Sequence, residues 1–125
     1  MTNDSLNIKS QGEMEQGNGS LTATGYTVTY SYHKKDNVVT IRINFKPAAN
    51  ISIGTNTTTS DALPEFLRPV ITVNSIYSAT NTGSGNDYLM QFIVNSNGKV
   101  GAFNFQSMTS SWSALWATFT YLTNN

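Results

Sequence analysis

The chain contains no cysteine. That excludes disulfides, thiolate metal ligands and cysteine nucleophiles, and it fits assembly in a reducing compartment. Charge is also scarce: charged residues make up 11% of the sequence, and seven basic side chains balance seven acidic ones. Such a balance gives no electrostatic drive toward nucleic acid or an anionic membrane. No apolar run reaches the length of a membrane span. The opening, "MTNDSLNIKSQGEMEQGNGS", has no apolar stretch suited to a signal peptide. The chain is therefore expected to be soluble and not exported by a cleaved signal. On that expectation the Asn-X-Ser/Thr triplets beginning at Asn3, Asn18, Asn50 and Asn56 are accidents of composition.

The polar character comes from elsewhere. Thr, Asn and Ser together supply 46 of the 125 residues. Thr suits strands, and Asn and Ser suit turns. The same groups make a neutral, hydrogen-bonding surface of the kind that meets sugar hydroxyls.

Residues 1–20 are polar, with Gly12, Gly17 and Gly19 and few apolar anchors, and read as a flexible arm or neck. Residues 21–125 read as one domain. "GYTVTYSY" sets Tyr26, Val28, Tyr30 and Tyr32 on one face and Thr27, Thr29 and Ser31 on the other. "VVTIRINF" sets Val39, Ile41, Ile43 and Phe45 against Thr40, Arg42 and Asn44. Period two is the mark of half-buried strands, and the polar "HKKDN" between them, His33–Asn37, is expected to be the turn of a hairpin. Further strands are expected at Ile51–Gly54, Val70–Thr80, Tyr88–Val94, "KVGAFNF" after the Asn95–Gly98 turn, and Trp112–Leu122. No segment has a capped helical period. The fold class is all-β: an antiparallel β-sandwich or jelly-roll-like head domain of seven or eight strands.

Groups suited to catalysis are few. His33 sits in a charged segment with no nucleophile motif near it, and one histidine cannot build a metal site. The carboxylates outside the arm are Asp36, Asp61, Glu65 and Asp87, and no spacing among them argues for a pair across a cleft. Neither an enzyme nor a cofactor is expected. Aromatic residues are more informative. Trp112 and Trp116 share one face of the last strand with Thr118 and Thr120, while Leu115, Ala117, Phe119 and Tyr121 form the better core face. The tryptophans then cover a core edge, anchor a subunit contact or stack a ligand.

The segment "LPEFLRP", Leu63–Pro69, precedes a strand, a Gly-rich loop, a second strand and "SNGKV". This order resembles the head domains of tail-tip and baseplate receptor-binding proteins of phages that infect Gram-positive bacteria. The matching residues are Leu63, Pro64, Phe66, Arg68 and Pro69, then Asn97, Gly98 and Val100, with "YSYHKKDNVVTIRI" resembling the opening hairpin. The resemblance spans about residues 25–123. It implies a non-enzymatic homotrimeric sandwich, made in the host cytoplasm and carried at the tail tip or baseplate of the virion. The head would bind host cell-wall polysaccharide or teichoic acid and dock on other tail or baseplate proteins. The long trimeric stem of such proteins has no counterpart in the short arm.

Physically, Pro64 and Pro69 stiffen a crossing between sheets, Phe66 and Leu67 plug the end of the sandwich, and Arg68 supplies donors for carbonyls. Leu63, Pro64, Phe66, Arg68 and Pro69 are therefore expected to be structural. The expected saccharide site is the loop Asn81–Tyr88, with Asn86, Asp87 and Tyr88 beside Gly83 and Gly85, and with Trp112 as stacking surface. His33 is the alternative, at a hairpin tip.

Overall fold

The computed structural model describes residues 14–48, 50–80, 87–105 and 115–124; of 77–80, 87 and 88 it describes the backbone only. Eight strands run through them: β1 (Glu15–Ala23), β2 (Tyr26–Lys35), β3 (Val38–Pro47), β4 (Asn56–Thr58), β5 (Val73–Thr80), β6 (Asp87–Val94), β7 (Val100–Asn104) and β8 (Leu115–Leu122). They form two antiparallel four-stranded sheets, ordered β1-β2-β3-β8 and β4-β7-β6-β5. The fold is thus the all-β sandwich expected from the alternating pattern. Each sheet is a run of three consecutive hairpin-linked strands plus one strand brought from elsewhere in the chain.

Alternation places the core. In β2, Tyr26, Val28 and Tyr30 are buried, and in β3, Val39, Ile41, Ile43 and Phe45 are buried. Every odd position of β8 from Leu115 to Tyr121 is buried and every even one exposed. Phe45 of the first sheet meets Phe92 of the second with ring centroids 5.2 Å apart, and Tyr26 meets Phe45 edge-on at 5.4 Å. Burial of each such ring contributes about 1.5–3 kcal/mol.

Four expectations are corrected. His33 is not at a hairpin tip: β2 runs to Lys35, which pairs with Val38, and Asp36 and Asn37 alone make the turn. Two residues suffice because Asp36 takes φ 56°, a conformation aspartate tolerates better than most residues. The arm does not extend to residue 20: Glu15–Ser20 belong to β1 and pair in register with Thr29–Lys34. Glycines at 17 and 19 are no obstacle there, because Tyr32 and Tyr30 of β2 lie across them; a Cβ would come within 2.8 Å of the Tyr32 hydroxyl at Gly17. The aromatic rings supply the packing that glycine lacks. Residues 1–13 of the expected arm lie outside the described residues. The short strand expected at Ile51–Gly54 lies further on, at Asn56–Thr58: Gly54 takes φ 78° and turns the chain, and its N–H, bonded to Asn104 O at 2.8 Å, starts the contact with β7. Finally, the strand expected from Val70 begins at Val73; Val70 and Ile71 are exposed.

Candidate functional site

LPEFLRP closes the sandwich at one end. Pro64 caps a single 3-10 turn, Glu65–Leu67, its carbonyl accepting from Leu67 N at 2.9 Å. Leu63 and Leu67 are fully buried, and Phe66 is half-buried against the core, edge-on to Tyr32 at 5.7 Å. Three side chains fasten the turn through its carbonyls. Tyr121 Oη donates to Leu67 O at 2.6 Å, Lys34 Nζ to Phe66 O at 2.9 Å, and Arg68 Nε to Leu63 O at 2.9 Å. Lys34 is 7% exposed and also lies 5.4 Å from the centre of the Phe66 ring, a cation–π contact. Pro69 bridges to Thr123. Burial raises Tyr121 well above the usual tyrosine range and pushes Tyr26 up to about 12. Tyr30 is raised too, first by burial and then by the charges of Tyr32 and Asp61. Of the three, Tyr121 uses its neutral hydroxyl as a structural hydrogen-bond donor. The LPEFLRP segment is thus tied to β2 and β8 through Lys34 and Tyr121.

The expected saccharide loop gives little that can be placed. Asn86 and Trp112 lie outside the described residues, as do Asn81–Gly85. Asp87 and Tyr88 belong to β6 and pair with Thr80 and Ala79. His33 is described, exposed on the outer face of β2, and there it has company.

That outer face of the first sheet is ordered by the register. His33 stands between Gln16 and Thr40, Ser31 between Asn18 and Arg42, and Thr29 between Ser20 and Asn44. On β8, Thr120, Thr118 and Trp116 continue the rows from Thr40, Arg42 and Asn44. Thr40 and Thr120 hydroxyls lie 3.0 Å apart and share a hydrogen bond. Arg42 stacks on Trp116, its guanidinium carbon 4.0 Å from the ring centre. The indole stays 44% exposed, so it keeps solvent-facing surface after the stacking. Next to this pair lies a depression of about 640 Å³ lined by Gln16, Asn18, Ser31, His33, Arg42 and Thr118. A smaller one, about 280 Å³, adjoins it between Asn18, Ser31 and Trp116.

Chemically this face offers hydroxyls, primary amides, one imidazole, one guanidinium and an aromatic plane, with the exposed ammoniums of Lys35 and Lys46 at its two ends. Among the described residues it offers no carboxylate pair. Asp61 accepts from Thr22 N at 2.7 Å at the far end of β1, and among the described residues no three His, Asp or Glu side chains gather. Sequence reasoning assigned Trp116 and Thr118 to an outer face but did not bring Arg42, Asn18 and Ser31 to it. The available signal was that Arg42 is a charge at the middle of the outward set of an alternating strand, Val38, Thr40, Arg42, Asn44 and Lys46.

The opposite surface of the sandwich differs. On the outer face of the second sheet, Ile76 and Leu89 are 58% and 53% exposed, and Ile93 and Phe103 are half-buried beside them. Comparison with models of protein families finds none that matches this chain, and no curated protein matches it.

Proposed function

We propose that the chain is a non-enzymatic binding domain that holds a saccharide on the outer face of its first sheet. Its role would be that of a phage or prophage tail-tip or baseplate receptor-binding head recognising host cell-wall polysaccharide or teichoic acid. The observation that carries the reading is the Arg42–Trp116 stack beside a depression lined by neutral polar groups. A sugar ring has an apolar face that stacks on indole and a rim of hydroxyls that amides, hydroxyls and guanidinium groups hold. Arg42 fixes the indole plane in advance, so little rotamer entropy is lost on binding. The setting on strands, and not on loops, keeps the arrangement rigid. Trp116→Ala and Arg42→Ala are each expected to weaken adsorption to host cell wall by about tenfold or more, with thermal stability unchanged. Folded variants that adsorb like the parent would remove this face from consideration, and release of reducing sugar by the parent would replace binding with hydrolysis.

A second reading, a structural subunit that contacts other virion proteins, is favoured by the apolar outer face of the second sheet. Ile76, Leu89, Ile93 and Phe103 there fit a subunit contact of the homotrimer that the resemblance implies. The two readings are compatible, one face for each. Light scattering of the parent and of Leu89→Lys tests the contact: a trimer is expected for the parent and a smaller species for the variant.

A further inference from the structure

The depression beside Arg42 and Trp116 does not stand alone on the outer face of the first sheet. A further depression of about 270 Å³ lies between Met14, His33, Lys35, Asp36, Val38 and Thr40. His33 and Thr40 also border the depression of about 640 Å³ that holds Arg42. Asn18 and Ser31 border that one and the next, which ends against Trp116. Shared walls make the three one continuous trough along β2 and β3. It reaches from the row of Val38 to the row of Asn44, where Trp116 is the partner on β8. At the rise of an antiparallel strand that length is about 20 Å.

Charge along this line has one sign. Lys35 stands in the first row opposite Val38, Arg42 in the third opposite Ser31, and Lys46 in the fifth opposite Thr27. Successive cations are therefore about 14 Å apart along the strands. All three side chains are exposed. The rows between, His33 with Thr40 and Thr29 with Asn44, hold no lysine, arginine or carboxylate. Among the described residues no Asp or Glu belongs to the outward set of any strand of this sheet. Asp36 stands in the turn beside Lys35, and Asp61 Oδ1 takes the Thr22 N–H at the edge of β1. Arg42 meets the indole through its flat face, which leaves its in-plane N–H groups to donate.

We infer that the ligand of this face is a linear anionic chain, a polyol or glycan bearing phosphodiester or carboxylate groups, laid along the trough across several of its units. The inference rests on the binding role proposed above and adds to it the length and the charge of the ligand. A single neutral sugar would occupy the space beside Trp116 and leave the Lys35 and Lys46 rows untouched. A nucleic acid fits less well. Duplex DNA carries one charge per about 1.7 Å of its axis, far denser than these cations. A single strand uses successive aromatic platforms, and the described part of this face has one. A chain with sparse charges and hydroxyls between them matches cationic rows that alternate with hydroxyl and amide rows.

Titration calorimetry on the full chain tests this with oligo(glycerol phosphate) and oligogalacturonate, each from one unit to chains longer than the trough. The methyl ester of the oligogalacturonate is the uncharged chain of the same backbone, and oligodeoxythymidylate is the nucleic acid. Affinity for one of the anionic series is expected to rise about tenfold or more from one unit to a chain that spans the trough, and to fall as salt is raised. The series that binds identifies phosphodiester or carboxylate as the recognised group. Lys35→Gln and Lys46→Gln are each expected to weaken the long chain about two- to fivefold, with thermal unfolding unchanged. Equal affinity for the methyl ester overturns the inference, and so does affinity that does not grow with length. Tighter binding of oligodeoxythymidylate, or no binding of either anionic series, overturns it too. A short or uncharged probe bound as tightly as the long anionic chain, and lost in Trp116→Ala, would overturn the length and charge while leaving the saccharide role of the face standing.

Discussion

Replacing Tyr121 by phenylalanine removes one oxygen and leaves the rest of the ring in place. Tyr121 is 7% exposed, and its hydroxyl donates to the carbonyl of Leu67 at 2.6 Å. The phenylalanine ring fills the same space, so no cavity forms. What changes is that a buried carbonyl in the 3-10 turn loses its donor. An acceptor left without a partner costs about 1–3 kcal/mol. For a domain of this length that corresponds to a fall in Tm of about 4 °C per kcal/mol. Urea unfolding followed by tryptophan fluorescence measures it, with the m-value expected to stay constant because the buried area is unchanged.

The alkaline limb gives a second readout from the same pair of proteins. Burial raises the Tyr121 hydroxyl above its ordinary value of 10.0. Above that pH the unfolded chain ionises this tyrosine and the folded chain does not, so the parent loses stability as pH rises. Phenylalanine has nothing to ionise. The gap between parent and Tyr121→Phe is therefore expected to be largest below pH 10 and to shrink above it. A difference below about 0.3 kcal/mol at neutral pH, or a gap that stays constant to pH 12, would refute the claim that this hydroxyl fastens the turn.

Other outcomes follow from the same end of the sandwich and from its core. Arg68→Ala removes the Nε hydrogen bond to Leu63 O and the side chain lying over Gly98, and should cost about 1–3 kcal/mol in thermal unfolding with ligand binding unchanged. Gly98→Ala is expected to cost about as much, because φ at 98 is 89° and the new Cβ would come within 2.6 Å of Arg68 Nε; denaturation midpoints check it. Tyr26, held near 12 by burial, should add its own alkaline loss: stability is full below pH 10 and falls by about 2–3 kcal/mol between pH 10 and 12, seen in Tyr26→Phe as a flatter profile. Gly19→Val should disrupt the β1–β2 pairing, since a Cβ there would overlap the Tyr30 hydroxyl, and loss of Gly17 amide protection reports it.

The strands that were legible in the sequence are those whose burial follows strict alternation. In β8 the pattern separates Leu115, Ala117, Phe119 and Tyr121 from Trp116, Thr118 and Thr120 without ambiguity. It failed at β4, where three residues of Asn and Thr have no apolar contrast to read. The end of β2 was misread because His33, Lys34 and Lys35 look like a turn. Lys34 in fact points inward and is buried, with its ammonium on the Phe66 carbonyl, and no local pattern announces an inward lysine. The candidate face was hidden for a different reason. Outward Thr, Ser and Asn are what any solvated strand shows, and the meeting of Arg42 with Trp116 depends on the β3–β8 register, a non-local pairing.

The tyrosines lying across Gly17 and Gly19 have a consequence for how this surface can change. Along β1 and β2, one parity of positions is committed to fit: glycine must stay glycine because a ring from the next strand occupies the space of its Cβ. The other parity, Gln16, Asn18 and Ser20 on β1 with Thr29, Ser31 and His33 on β2, faces outward, away from the core. New side chains can be written there one at a time, and the scaffold beneath does not register the change. A sheet built this way keeps stability and surface chemistry in separate alternating columns of one stretch of chain, so under the proposed saccharide-binding role an altered ligand preference would require neither new loops nor a repacked core.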